Sequence, residues 1–303
     1  MQINPIVKKD VKVQARSMRI SWGLFAYEAI MAAVFFFALF IIQVENSYTS
    51  SNIYSSIVGL YPTLAITQII ILGVVIPIRT ASSISGEKER QTFDIMMTTS
   101  MTPKSIILGK VTIAIIQGMF FVVGGMPIMA LAFVSGGISW IYLLWFFAIA
   151  VLVSLFSASI GIFCSSVCKK SISAVIMSYG FYVIFFLGTL IPYVIEIILY
   201  TTKSLSGMNI APWILLLNPA VYLIEFFGWT MGGSSYMYLM LQYGLSLSYT
   251  QKEMHYLWMT LSSVLLILVS FLFLWIAAKR ISPISKKKAQ KLANGIRQEN
   301  LNG

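Results

Sequence analysis

Ser139 to Lys170 reads SWIYLLWFFAIAVLVSLFSASIGIFCSSVCKK, and no charged residue interrupts it before Lys169 and Lys170 close it. A helix needs about 20 apolar residues to cross about 30 Å of hydrocarbon, and this run exceeds that. Its backbone polar groups would find no water in lipid, so the run is read as a helix. Its length and aromatic content argue against the alternating strands of a membrane barrel. Within it, Ser154 with Ala158 and Ser157 with Gly161 set small side chains one turn apart, the spacing of close helix packing.

Five further runs have the same character: about Trp22 to Val44, Ser56 to Thr80, Ser105 to Val134, Ile172 to Tyr200 and His255 to Ala278. Six spans account for the composition. Of 303 residues, 58% are hydrophobic and 10% charged, with mean hydropathy +0.85, whereas a soluble domain is about 45–50% apolar and about 25% charged. A water-soluble enzyme is excluded. The expected fold is an all-α polytopic membrane protein forming a single transmembrane domain over residues 1–303. Pro77, Pro127 and Pro192 are expected to kink or end their helices. The first 21 residues are too polar for a cleavable signal peptide.

The net charge of +11 follows from where the basic residues fall. With the N-terminus inside, 19 of the 21 Lys and Arg lie on the cytoplasmic side. They are in the N-terminal stretch, from Arg79 to Lys110 in and beside the loop after span 2, at Lys169 and Lys170 after span 4, and from Lys279 into the basic cytoplasmic tail over residues 281–303. Lys203 and Lys252 remain outside. This is the asymmetry of the positive-inside rule, and it places both termini in the cytoplasm of a cell (plasma) membrane protein. No basic groove interleaved with aromatics appears, so nucleic acid is excluded as a partner.

Two segments sit beside the spans. Over residues 4–21, Val7, Val11, Ala15, Met18 and Trp22 form an apolar stripe flanked by Lys8, Lys9, Lys12, Arg16 and Arg19. Asn4-Pro5 reads as cap and first turn. This is an interfacial amphipathic helix, its basic flank towards membrane lipids. Between residues 204 and 250, two shorter apolar pieces, Ala211 to Trp229 and Tyr236 to Leu247, are broken by Asn218-Pro219 and Gly232-Gly233. They form either an outer re-entrant helical hairpin or two short spans.

The loop between spans 2 and 3 reads Ser85-Gly86-Glu87-Lys88-Glu89-Arg90-Gln91-Thr92-Phe93-Asp94-Ile95-Met96-Met97-Thr98-Thr99, then Ser100-Met101-Thr102-Pro103. On a helix, Phe93, Met96 and Met97 share one face, while Glu87, Gln91 and Asp94 share another. Arg90 is expected to pair with Glu87 and Asp94, for about 0.2–0.5 kcal/mol each. Two Met and a Phe on a charged helix suit a partner's groove, because Met packs adaptably. Thr102-Pro103 reads as the cap and first turn of span 3.

Ser85 to Lys110 resembles the first cytoplasmic loop of type-2 ABC exporter permeases. That loop reads roughly Glu-x-Glu-Arg-Gly-Thr, an apolar turn, a Thr pair, then Gly-Lys entering span 3. Glu87, Glu89, Arg90, Thr92, Thr98, Thr99, Gly109 and Lys110 match it; Gln91 stands where Gly is usual, and Ser100 where Pro often follows. The resemblance extends to the layout of nearly the whole chain. It implies that residues 86–101 form a cytoplasmic coupling helix docking on a separate ATP-hydrolysing subunit through Glu87, Glu89, Arg90, Phe93, Asp94, Met96 and Met97. ATP and Mg would be bound by that subunit, with a second permease copy or paralogue completing the transporter.

No catalytic constellation is visible, and no Gly-x-x-x-x-Gly-Lys-Ser/Thr loop that cradles ATP. His255, the single histidine, is read as an interfacial residue rather than a metal ligand. Cys164 and Cys168 are read as small packing residues in a reducing cytosol. Glu28 lies inside span 1 and is expected either to pair with a basic residue or to touch a transport path. Glu45, Glu196 and Glu225 fall near the outer boundary, where snorkelling to water is easy. Thr63, Thr67 and Gln68 in span 2, with Ser178, Tyr179 and Tyr182 in span 5, make a polar stripe. In the resembling family those spans line the substrate path; interhelical hydrogen bonding is the plainer reading. A secondary transporter or channel would be expected to show inverted repeats or several intramembrane charges. A membrane-embedded transferase would need clustered catalytic side chains.

Overall fold

The computed structural model of the chain describes residues 18–48, 57–93, 102–136, 139–202, 211–238 and 250–281. The interfacial helix expected before Met18, the stretch from Asp94 to Met101 and the tail after Ile281 lie outside these residues. The long helices are α1 (Met18–Tyr48), α2 (Leu60–Glu89), α3 (Pro103–Gly124), α4 (Met126–Gly136), α5 (Trp140–Val167) and α6 (Ser171–Val183). After a π-helical segment, Ile184–Gly188, come α7 (Leu190–Thr201), α8 (Ala211–Ile214) with a 3-10 turn at Leu215–Leu217, α9 (Pro219–Gly232) and α10 (Gln251–Ile281). No strand occurs among the described residues. Six helical stretches are long and apolar enough to cross a membrane, in the order and near the places expected.

The prolines act differently from one another. Span 3 is interrupted at Gly125, between α3 and α4. Two residues on, Pro127 lacks an N–H and its ring crowds the Val123 carbonyl. In span 5 the ladder widens to π geometry over Ile184–Gly188, ahead of Pro192, which cannot donate to Gly188. At Pro77 the helix does not end, and α2 runs on from Leu60 to Glu89. Thr102 caps α3 as the sequence indicates, its hydroxyl accepting the Ser105 N–H at 3.3 Å.

α5 is the hub. It packs against α2, α3, α6 and α10, and 72% of its apolar window is buried, against 11% for span 1 and 6% for span 5. Its small residues permit this closeness. A Cβ on Gly161 would strike the Thr80 hydroxyl and come within 3.2 Å of the Ala81 amide nitrogen. Cys164 is a buried free thiol on the same helix.

The outer segment before the last span bends by 94° between Ala211–Leu217 and Pro219–Gly232. Asn218 makes the corner. Its side-chain oxygen accepts the Ala220 N–H at 2.9 Å, and its amide nitrogen donates to the Phe186 carbonyl and the Thr189 hydroxyl. With 14 residues, α9 reaches about 21 Å, short of the hydrocarbon thickness. Leu215, Leu216, Val221 and Met237 pack on Met254 and Trp258 of α10.

One residue of this segment departs from expectation: Glu225 does not snorkel to water but is buried against His255, which lies near the start of α10. Glu225 is fully buried, and its carboxylate meets His255 Nδ1 at 3.0 Å while accepting the Met237 N–H at 3.0 Å. Trp229 stacks on the imidazole at 4.7 Å. Burying a carboxylate demands such partners, and the bend at Asn218 supplies them by folding α9 back onto α10.

Candidate functional site

α2 contains 30 residues and so extends about 45 Å, about 15 Å beyond the hydrocarbon thickness. The excess is the end with the sequence Ser82-Ser83-Ile84-Ser85-Gly86-Glu87-Lys88-Glu89. Three consecutive charged residues there reach three different helices. Glu87 Oε1 accepts from Lys110 Nζ of α3 at 2.7 Å, and the same ammonium donates to the Ser83 carbonyl at 2.9 Å. Lys88 Nζ donates to the Ser166 carbonyl at 2.5 Å and lies 3.4 Å from those of Ser165 and Cys168, at the C-terminus of α5. Glu89 Oε2 accepts from the Ser171 N–H at 3.1 Å and its hydroxyl at 2.8 Å, at the N-terminus of α6.

The Lys88 and Glu89 contacts have the sign that helix ends favour. The last carbonyls of α5 attract an ammonium, and the first N–H groups of α6 attract a carboxylate. Where such a contact is partly buried, as at Lys88, it contributes up to about 2 kcal/mol. Deeper in the joint, the Ser165 hydroxyl lies 2.9 and 2.8 Å from the backbone N–H groups of Ile84 and Ser85. The end of α2 is thus bolted to the α5–α6 corner and to α3.

The helix stops in a Schellman turn. The Gln91 N–H donates to the Lys88 carbonyl at 3.1 Å and the Thr92 N–H to the Glu87 carbonyl at 3.0 Å, the paired pattern of that motif. Its left-handed residue is Gln91, with φ of 58°. A cleft of about 640 Å³ opens beside this end, lined by Ser83, Gly86, Glu87, Glu89, Arg90 and Ser171 among others.

The sequence-named contact residues fall as follows. Glu87 and Glu89 occupy the last turn of α2, and Arg90 is its exposed C-cap. Glu87 pairs with Lys110 rather than with Arg90 as expected, because α3 packs alongside and delivers an ammonium. Phe93 is half-buried, packed against the cluster that includes Ile84, Ile107 and Leu274, and Lys88 Nζ lies 5.8 Å from its ring centre. Asp94, Met96 and Met97 lie outside the described residues.

A family model described as ABC-2 family transporter protein matches residues 39–279. The chain belongs to the ABC-2 transporter family. It is therefore a multi-pass membrane component of an ABC transport system, and membership implies association with ABC ATPase subunits in general. No curated protein matches the chain. The turn at Gln91 gives a physical reason for the glycine usual at this place in the resembling ABC-2 loop. The position requires a left-handed backbone, which glycine adopts without penalty.

Residues of the expected polar stripe of this ABC-2 chain make hydrogen bonds and ring contacts within the bundle. Thr63 and Thr67 donate back to the Gly59 and Thr63 carbonyls at 2.8 and 2.7 Å. The Tyr179 hydroxyl bridges spans 5 and 2 by donating to the Val74 carbonyl at 2.8 Å. Gln68 and Ser178 are fully buried; Gln68 turns away from span 5 and donates to the Val122 carbonyl of α3 at 3.2 Å. Tyr182 stacks on Phe186. Sequence reasoning named Lys110 as a motif match and Lys88 only as a topology charge. Their partners lie 23 and about 80 residues away, and no local spacing signals them.

Proposed function

We propose that this chain is the permease subunit of an ATP-driven exporter, working as a pair of identical or paralogous permeases and powered by separate ATPase subunits. ATP and Mg are held by those subunits. The partner docks at the basic end of α2, which faces the cytoplasm together with both termini. The observation that carries this reading is the division of Glu87, Lys88 and Glu89 among α3, α5 and α6. A force applied to the end of α2 reaches three other helices through charged contacts, the property required where a cytoplasmic motor drives membrane helices. Arg90 and Thr92 are exposed beside the cleft and provide polar contact points that orient a partner. The outward apolar faces of α1 and span 5, including Phe36, Phe40, Ile176 and Ile184, fit lipid and a second permease. The outward direction of transport follows from the family resemblance.

The test is co-purification with the cognate ATPase subunit, together with substrate transport per ATP hydrolysed. Arg90→Glu lowers complex yield several-fold while leaving membrane insertion intact. Lys110→Met preserves the complex but lowers transport per ATP, because Glu87 loses its hold on α3. Wild-type complex yield and transport in both variants would refute the assignment.

A further inference from the structure

Tyr27 and Glu28 of α1, Gln68 of α2 and the junction of α3 with α4 meet inside the bundle, about 15 Å along α1 from Met18. The junction is the pair Gly124-Gly125. A Cβ on Gly125 would strike the Tyr27 hydroxyl and lie 3.3 Å from Gln68 Nε2, and one on Gly124 would lie 3.0 Å from Glu28 Oε1. Two absent side chains therefore let these groups converge. Tyr27 is 2% exposed and Gln68 fully buried. Gln68 Nε2 donates to the Val122 carbonyl, but Gln68 Oε1, the Tyr27 hydroxyl and Glu28 Oε1 are buried with no hydrogen-bond partner.

Three oxygens here, the Tyr27 hydroxyl, Glu28 Oε1 and Gln68 Oε1, have unused lone pairs, while Gln68 Nε2, the amide atom nearest Gly125, is committed to the Val122 carbonyl. The junction contributes no free helix pole, because α4 starts at the next residue and Gly125 keeps its ladder bonds, its N–H donating to the Phe121 carbonyl and its carbonyl accepting from the Met129 N–H, both at 3.0 Å. A carboxylate at such depth is costly unless neutralised, yet neither ion pair among the described residues involves Glu28. Arg79, on α2 about three turns beyond Gln68, is engaged with Gln117 at 3.2 Å. What the arrangement lacks is one positive charge.

We propose that Tyr27, Glu28 and Gln68 bind a single small monovalent cation at the Gly124-Gly125 junction. One carboxylate balances one charge. No group of three His, Cys, Asp or Glu side chains is placed to hold a metal among the described residues, so the several carboxylates or soft ligands that divalent and transition ions take are missing. Carboxylate, amide and phenol oxygens are hard donors, and interrupted membrane helices are a recurrent setting for alkali-ion coordination. The ion would join α1, α2 and α3, which otherwise meet here only through apolar contacts and the Gln68–Val122 bond.

The experiment uses the full chain in lipid nanodiscs at fixed pH and ionic strength, with NaCl or KCl replacing N-methyl-D-glucamine chloride. Thermal unfolding followed by tryptophan fluorescence rises by a few degrees in a saturable manner with one alkali ion, because a ligand of the native state stabilises by mass action. Glu28→Gln and Gln68→Leu abolish the rise, and Glu45→Gln retains it. Should those variants fail to fold, Tyr27→Phe keeps the packing and shifts the half-saturating concentration upward. Equilibrium binding of radioactive sodium and rubidium to the wild type gives one ion per chain. Identical unfolding in all three salts with no bound ion overturns the proposal. So does a rise undiminished in Glu28→Gln, and so does stabilisation by acid alone, which would mean that Glu28 is neutralised by a proton.

Discussion

Gln91 holds a backbone conformation that costs an L-residue with a Cβ about 1–2 kcal/mol, and it does so to complete the turn that ends α2. Gln91→Gly is therefore expected to raise stability by about 0.5–1 kcal/mol, seen as a higher unfolding temperature in detergent. Gln91→Val should lower it. Equal unfolding temperatures for the three proteins would remove the left-handed turn from the account. At this scale the sequence was legible where chemistry is local. Thr102 before Pro103 announced a cap, and a cap is what forms. It was illegible where a side chain must choose among distant partners. Glu87 had Arg90 one turn away and pairs instead with Lys110 of α3. Glu225 meets His255 across 30 residues, an encounter created by the bend at Asn218.

Helices α2 and α5 carry the architecture, and their approach depends on Gly161 lying against Thr80 and Ala81. A methyl there cannot be accommodated without separating the two helices. Gly161→Ala is expected to cost about 1–3 kcal/mol and to reduce the yield of folded protein on size-exclusion chromatography. Gly180→Ala, on span 5 with nothing within 4 Å of its Cβ, should be neutral or slightly stabilising because alanine favours helix. Equal losses from both substitutions would mean that helix propensity, rather than close packing, sets the effect. Span positions could be read from hydropathy because lipid imposes length and helicity on any crossing segment. Which face turns inward could not. Span 5 carries Tyr, Ser and Phe nearly all round, and Gln68 points to α3 because the Val122 carbonyl lies there, a fact about packing rather than periodicity.

For the whole molecule, charge asymmetry is expected to set the orientation. With the N-terminus inside, the topology read from the sequence puts nineteen of 21 basic residues on the cytoplasmic side, and the proposal needs the bolted end of α2 on that side. Single cysteines replacing Asn52 and Ser206 in a Cys-free background should react with an impermeant maleimide in intact cells. Those replacing Ser17 and Ser285 should react only after permeabilisation. The opposite pattern would turn the molecule over and place the α2 end away from any cytoplasmic ATPase. The central claim, that this end receives the motor, is tested most directly by photocrosslinking in the membrane. A benzophenone amino acid at position 90 is expected to capture the ATPase subunit, and one at Trp140, at the opposite end of α5, is not. Capture from position 140 but not from 90, or from neither while the complex remains intact, would contradict it.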